Sequence, residues 1–257
     1  MMNYNVEEIA KRLKSRSQGK VPFIELFETI ESTNSYLLSE KSVANRVCLA
    51  ENQTKGRGRR GRHWHSIQSG SVLMSMGWEI QGQDVRGLSL VAGLAVVLAL
   101  EEFGLKGIGL KWPNDLLVYG KKIGGILVEL SGKKCVIGLG LNIDTPFGIE
   151  ADIDLSWSDL KQSGLIVDVN DLVSAIIYNF DEAVLEFLSD GFVCFQSRWN
   201  ACHAYQDKRI IVSTQSEIWR GIARGVDFHG ALVVEMDGET RSIESGEVSV
   251  RLCESAL

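Results

Sequence analysis

The sequence contains no C-x-x-C pair, no phosphate loop of the G-x-x-x-x-G-K-[ST] kind and no apolar run long enough to cross a bilayer. Each absence removes a class of function. The five cysteines (Cys48, Cys135, Cys194, Cys202 and Cys253) are odd in number and scattered, so neither a zinc site nor a disulfide framework is signalled. Without the phosphate loop, the usual P-loop kinase route is closed. The most apolar stretch, Leu88 to Leu100, spans about thirteen residues and contains Gly93, which suits a buried helix. The N-terminus, MMNYNVEEIAKRLKSRSQGK, lacks the apolar core of a signal peptide. A net charge of −6 argues against a broad nucleic-acid-binding surface. No internal repeat, low-complexity linker, Ser-His-Asp set or Cys-His set is evident. A soluble protein of the reducing cytoplasm, with no membrane partner, is expected.

The 257 residues, 45% of them hydrophobic, are enough to bury a sizeable core. FIELFE (23–28), VCLAE (47–51) and SVLMSMGWEI (71–80) read as strands, with Ser32, Thr33 and Asn34 opening a short helix between the first two. The run 86–103 reads as a buried helix. GIGLKW, LLVYG, KIGGILVEL and CVIGLGLNI come next as apolar runs broken by turn residues, the pattern of an antiparallel meander. After a loop-rich stretch (145–169), residues 171–188 carry helical periodicity, and 192–204 suit a second helix. From Lys208 the chain turns to short strands separated by polar turns. The fold class is therefore α+β, with a mixed domain over 1–206 and a small barrel-like β domain over 207–257.

Residues 56–61, GRGRRG, formally satisfy the dinucleotide motif G-x-G-x-x-G. The context is wrong for it, because residues 63–76 lead toward a strand and not into a helix. Five cations, Lys55, Arg57, Arg59, Arg60 and Arg62, fall within eight residues. Glycine allows close backbone approach to a ligand, and arginine offers forked donors to phosphate or carboxylate. A mobile loop that orders around an anion is one reading; a solvated basic loop and a non-specific nucleic-acid patch are the others.

The segments ENQTKGRGRRGRHWHS (51–66) and KWPNDLLVYGKKIGGILVEL (111–130) together resemble biotin protein ligases. ESTNSYLL (31–38), GLGLNID (138–144) and GEVSVRL (246–252) are similar to further family segments in the same order. The resemblance covers roughly residues 23–255. It implies a mixed α/β ligase domain followed by an SH3-like barrel. It also implies the short form without an N-terminal DNA-binding domain, since only about twenty residues precede the first strand. One departure is visible: the family's W-x-S-P is here Trp64, His65, Ser66 and Ile67.

The implied chemistry is activation of biotin with ATP and Mg²⁺, then transfer to a lysine of a biotin carboxyl carrier protein, as in acetyl-CoA carboxylase. The family includes dimers, so a homodimer is possible, with no interface located. The resemblance assigns Ser32, Thr33, Asn34 and Gln53 to biotin, and Arg57, Gly58 and Arg59 to the loop closing over biotin and its adenylate. Gly56, Arg60, Arg62, Trp64, Lys111, Asn114, Asn142 and Trp157 fall on the ATP side. Lys122 is placed at the biotin carboxylate and the phosphoryl group. Asp115 is placed either at the acceptor lysine's proton or near Mg²⁺. Glu247 and Arg251 match C-terminal positions facing the site. Each has a plainer reading: helix capping for Ser32 to Asn34, turn chemistry for Asn114 and Asp115, a hairpin lysine for Lys122, a buried anchor for Trp64. His63 and His65 form H-x-H, but no third ligand is placed, so no metal site is expected. The related lipoate protein ligases and a nucleic-acid-binding regulator are the competing assignments.

Overall fold

The computed structural model describes residues 4–64, 70–145, 156–214, 216–244, 246 and 248–253. Seven strands form the first sheet: β1 (Phe23–Ile30), β2 (Arg46–Gln53), β3 (Ser71–Glu79), β4 (Ile108–Lys111), β5 (Asp115–Val118), β6 (Lys121–Ser131) and β7 (Lys134–Asn142). Their order is β1-β2-β3-β7-β6-β5-β4. Only β1 and β2 are parallel; the last four are the expected antiparallel meander.

Successive strand residues face opposite sides, so strand alternation separates two cores. Val47 and Leu49 of β2 join the large core with Met74, Met76, Ile137 and Leu139, whereas Cys48 joins Leu37, Val43 and Val136. Helices α1 (Val6–Arg16), α3 (Leu88–Glu102) and α4 (Val169–Asp190) bury their apolar residues in the large core. The short α2 (Thr33–Ser39) lies on the other face, the face that carries the site. Helix α3 is apolar all round, as a helix sandwiched between sheet and α4 must be. Helix α1, which the sequence pattern does not signal, buries only Ile9 and Leu13 and is tied to α4 by Arg12, paired with Glu8, Asp168 and Asp171.

The stretch expected to be a second helix is a 3-10 turn (Phe192–Cys194) and a short α5 (Gln196–Ala201). Five antiparallel strands come after it: β8 (Arg209–Ser213), β9 (Ile218–Val226), β10 (Leu232–Met236), β11 (Glu239–Ile243) and β12 (Ser249–Leu252). Their order is β11-β10-β9-β8-β12. This sheet shares the large core through Ile210, Val212, Leu232 and Val250. Trp112 Nε1 donates to Gly230 O (3.0 Å), and Val226 N donates to Asn200 Oδ1 (2.8 Å).

The connection into β8 pairs with β4, beside the site: Leu110 N donates to Cys202 O (2.8 Å) and Ala204 N to Leu110 O (2.9 Å). His203 is buried there, its ring tilted against that of Trp199 with centres 4.7 Å apart, and burial lowers its pKa to about 4. The unfolded chain therefore takes up a proton between about pH 6.5 and 4 that the folded protein does not, so His203 makes stability fall as pH falls through that window. From pH 7 to 5 this histidine removes about 2 kcal/mol. Chemical denaturation at both pH values is expected to show a loss about 2 kcal/mol smaller in His203→Asn than in the wild type.

Candidate active site

One cavity of about 630 Å³ opens on the α2 face of the first sheet. Its floor is β6 and β7, where glycines make room for what lies above. A Cβ on Gly138 would stand 2.3 Å from Asn34 Oδ1, and one on Gly140 would stand 2.3 Å from Trp64 Cε2. Moving along β7, the floor therefore passes under Asn34 at Gly138, under Trp64 at Gly140, and reaches Asn142, about 13 Å in all at the usual rise of a strand.

The α2 end is neutral and polar. Ser32 caps the helix, its Oγ accepting from Ser35 N, so the capping and lining roles coincide. Thr33 donates to Gln53 Oε1 from both N (2.8 Å) and Oγ1 (3.1 Å), which leaves Gln53 to offer its Nε2 donors. Ser75 Oγ donates to Asn34 Oδ1 (2.5 Å), while Asn34 Nδ2 donates to Glu129 Oε2 (2.8 Å). Ser32, Thr33 and Asn34 are all buried.

The far end is cationic. Asp115 and Lys111 close the β4–β5 turn around the cis Trp112–Pro113 peptide. Lys122 Nζ lies 2.5 Å from Asp115 Oδ1, and Lys111 Nζ lies 3.5 Å from Asp115 Oδ2. A bulge between the Leu116 and Leu117 pairings makes this possible: Leu117 pairs with Lys122 where a regular register would place Ile123. Paired residues share a face, so the bulge leaves Lys122 on the side of Asp115 and Gly125 while Ile123 is fully buried. Lys122 Nζ also stands 5.7 Å from the Trp64 ring centre. The Trp64 Nε1 is buried without a hydrogen-bond partner among the described residues, on the part of the ring that lies over Gly140. Asn114 Nδ2 donates to Ile126 O (2.9 Å), and Asn142 Nδ2 donates to Ser158 O (3.1 Å). Trp157 bridges Lys122: Lys122 N donates to Ser156 O, and Ser158 N donates to Lys122 O.

The Gly/Arg segment folds back on itself, Gly58 N donating to Arg62 O (2.8 Å) and Trp64 N to Gly56 O (2.9 Å), with a 3-10 turn at Arg59–Gly61. Arg57, Gly58, Arg59, Arg60 and Arg62 line the cavity. Gly56 is the exception among the predicted residues. It is buried at the base of the loop, where a Cβ would stand 3.1 Å from Trp64 O, and is not among the residues lining the cavity. Arg57 Nη2 meets both oxygens of Glu129 at 2.9 and 3.0 Å. Arg59 Nη2 donates to Gly246 O (2.8 Å), tying the loop to the chain leading into β12. Burial lowers the Arg59 pKa, and Asp115 opposes that shift.

Val248, Ser249, Val250 and Arg251 complete the wall, as expected for Arg251. Glu247, His65, Ser66 and Ile67 lie outside the described residues. Sequence reasoning missed Glu129, which reads as an ordinary polar strand residue, and the two floor glycines, whose role depends on what packs above them.

These features pair a neutral hydrogen-bonding pocket with a cationic one along a shared floor, under an arginine-bearing loop. Residues 26–143 match the Biotin/lipoate A/B protein ligase family and residues 207–251 the Biotin protein ligase C terminal domain. The chain is 36% identical over 241 residues to the bifunctional ligase/repressor BirA of Salmonella typhimurium, covering 90% of this chain and 75% of that protein. It is 30% identical to the biotin–[acetyl-CoA-carboxylase] ligase of Mycobacterium tuberculosis, over 84% of this chain and 85% of that one. Its fold superposes on the biotin protein ligase of Aquifex aeolicus in complex with biotin and ATP with a TM-score of 0.82 and 27% identity, covering 90% of this chain and 99% of that one. The chain belongs to the biotin protein ligase family.

Proposed function

We propose that this cavity binds biotin and ATP end to end, and that the protein is an ATP-dependent ligase that biotinylates the carrier domain of a biotin-dependent carboxylase. The observation that carries the reading is the order of chemistry along β7: neutral donors and acceptors at Gly138, an aromatic cover at Gly140, cations beyond it. Biotin has the same order, a neutral ureido head, an apolar chain and a terminal carboxylate. Ser32, Thr33, Asn34 and Gln53 hold the head. Lys122 meets the carboxylate, with Lys111, Asn114, Asn142, Arg60, Arg62, Trp64 and Trp157 on the nucleotide.

The carboxylate oxygen attacks the α-phosphorus of ATP, the bond to the β-phosphate breaks, and pyrophosphate leaves. The cations gathered by Asp115 lower the cost of bringing two anions together. The carrier lysine's neutral amine then attacks the acyl carbon of the mixed anhydride, and AMP departs. Arg57, Gly58 and Arg59 lie in the loop that shields the anhydride from water. Asp115 is the one carboxylate among the described cavity-lining residues, and two lysines already engage it. That donor set does not form a protein cage for Mg²⁺, which enters on the phosphates of ATP. The division into a ligase domain over 1–206 and a β domain over 207–257 belongs to the same reading. So does a cytoplasmic location, which fits the free buried thiols of Cys48 and Cys135 and the lack, among the described residues, of a helix long and apolar enough to cross a membrane.

Incubating the protein with Mg-ATP and biotin is expected to give biotinyl-5′-AMP, detected by mass spectrometry, with matching pyrophosphate. An acyl-adenylate formed from lipoate but not from biotin would overturn the assignment. The floor provides a sharper test of the head pocket. Gly138→Ala pushes a methyl group into Asn34, and calorimetry should find biotin bound about tenfold more weakly with ATP affinity unchanged.

A further inference from the structure

We infer that Asp159 is a positioning residue for the nucleotide end of the cavity, acting through Trp157; the inference rests on the proposed role of Trp157 toward ATP. Asp159 is completely buried, yet it lies in a loop. Its carboxylate is saturated: Oδ2 accepts from Thr145 N (3.0 Å), Thr145 Oγ1 (2.6 Å) and Gln162 Nε2 (2.7 Å), and Oδ1 accepts from Gln162 N (2.7 Å). Burial alone would raise its pKa, but these bonds outweigh it and hold the group below the ordinary carboxylate range.

What this clamp holds is an added strand-like segment. Immediately before Asp159, Ser156 and Ser158 bond to both backbone groups of Lys122, with Trp157 between them. Ser158 O also accepts from Asn142 Nδ2, and on the other side Leu160 N donates to Asn142 O (3.1 Å). Asp159 thus joins Thr145, three residues beyond β7, to the turn at Gln162, and sets the register of Trp157 beside the lysine of the cationic end. None of its partners reaches the Ser32–Gln53 end, so its influence falls on Trp157 and leaves the pocket for biotin's head untouched.

An asparagine cannot reproduce this arrangement, because its amide presents donors where Thr145 or Gln162 already donates. The test is steady-state kinetics of adenylate formation, with calorimetric biotin binding, on Asp159→Asn, Trp157→Ala and the double variant. Asp159→Asn is expected to raise KM for ATP about tenfold, on the scale of a lost hydrogen bond to a charged group, with biotin affinity within about twofold of wild type. In the Trp157→Ala background it should add little, since coupled residues are non-additive. A lower melting temperature with both substrate constants unchanged, or equal weakening of biotin and ATP, would overturn the inference. If Trp157→Ala leaves KM for ATP unchanged, the nucleotide role of Trp157 falls. If Trp157→Ala raises it and Asp159→Asn does not, the positioning role alone falls. Should Asp159→Asn not fold, Gln162→Leu removes one clamp bond and is expected to raise the same KM about threefold; no change would overturn the inference equally.

Discussion

Lys122→Ala is expected to slow formation of biotinyl-5′-AMP about a thousandfold, the upper range for removing one preorganised donor from a reacting oxyanion. Lys122 is the cation closest to Asp115, and its side chain is only 22% exposed. A compact ammonium in a partly dry cavity acts on developing phosphoryl charge with much less screening than in water. Without it, Asp115 keeps Lys111, at 3.5 Å, and the field of Arg59, and places a less compensated negative charge beside two anionic substrates. The loss should therefore appear in the rate of the chemical step, with biotin's head pocket still occupied. Lys122→Arg should not restore the rate, because a planar fork does not reproduce a point charge seated between Asp115 and the Trp64 ring. Rapid-quench measurement of adenylate decides the matter; a variant within about tenfold of wild type would remove Lys122 from the chemistry.

Arg59→Gly is expected to release the adenylate about 10- to 100-fold faster, the range for losing a charge-assisted hydrogen bond. Arg59 reaches from the loop to Gly246 O, so one side chain closes the cavity between the two sheets. Glycine removes that tie and adds backbone freedom to a segment already rich in it. Adenylate synthesis should continue, since Lys111, Asp115 and Lys122 are untouched. The readout is free biotinyl-5′-AMP in a filtrate after one turnover. Retention equal to wild type would show that the loop's other contacts suffice.

The sheet order and the site are unequally legible in the sequence. The β4 to β7 meander is readable because Pro113, Gly120 and Gly132 interrupt its apolar runs at the turns. Helix α1 is not, because only Ile9 and Leu13 are buried and the rest of it looks like a charged leader. The parallel pairing of β1 with β2 also has no local signal, since it depends on the connection through α2. At the site, the motifs place Lys111, Asp115 and Lys122 near one another in sequence but do not reveal the bulge that turns Lys122 toward the cavity. Glu129 and Asp159 are invisible for a related reason. Each looks like a solvated carboxylate until long-range packing brings Arg57 and Asn34 to one, and Thr145 to the other.

Biotin transfer itself is tested most directly by the intact mass of an unmodified biotin carrier domain after incubation with the purified protein, Mg-ATP and either biotin or lipoate. The expected result is the addition of one biotinyl group that requires ATP and is lost with Lys122→Ala. A lipoyl-sized addition, or no addition from either acid by a protein that is folded, would contradict the assignment.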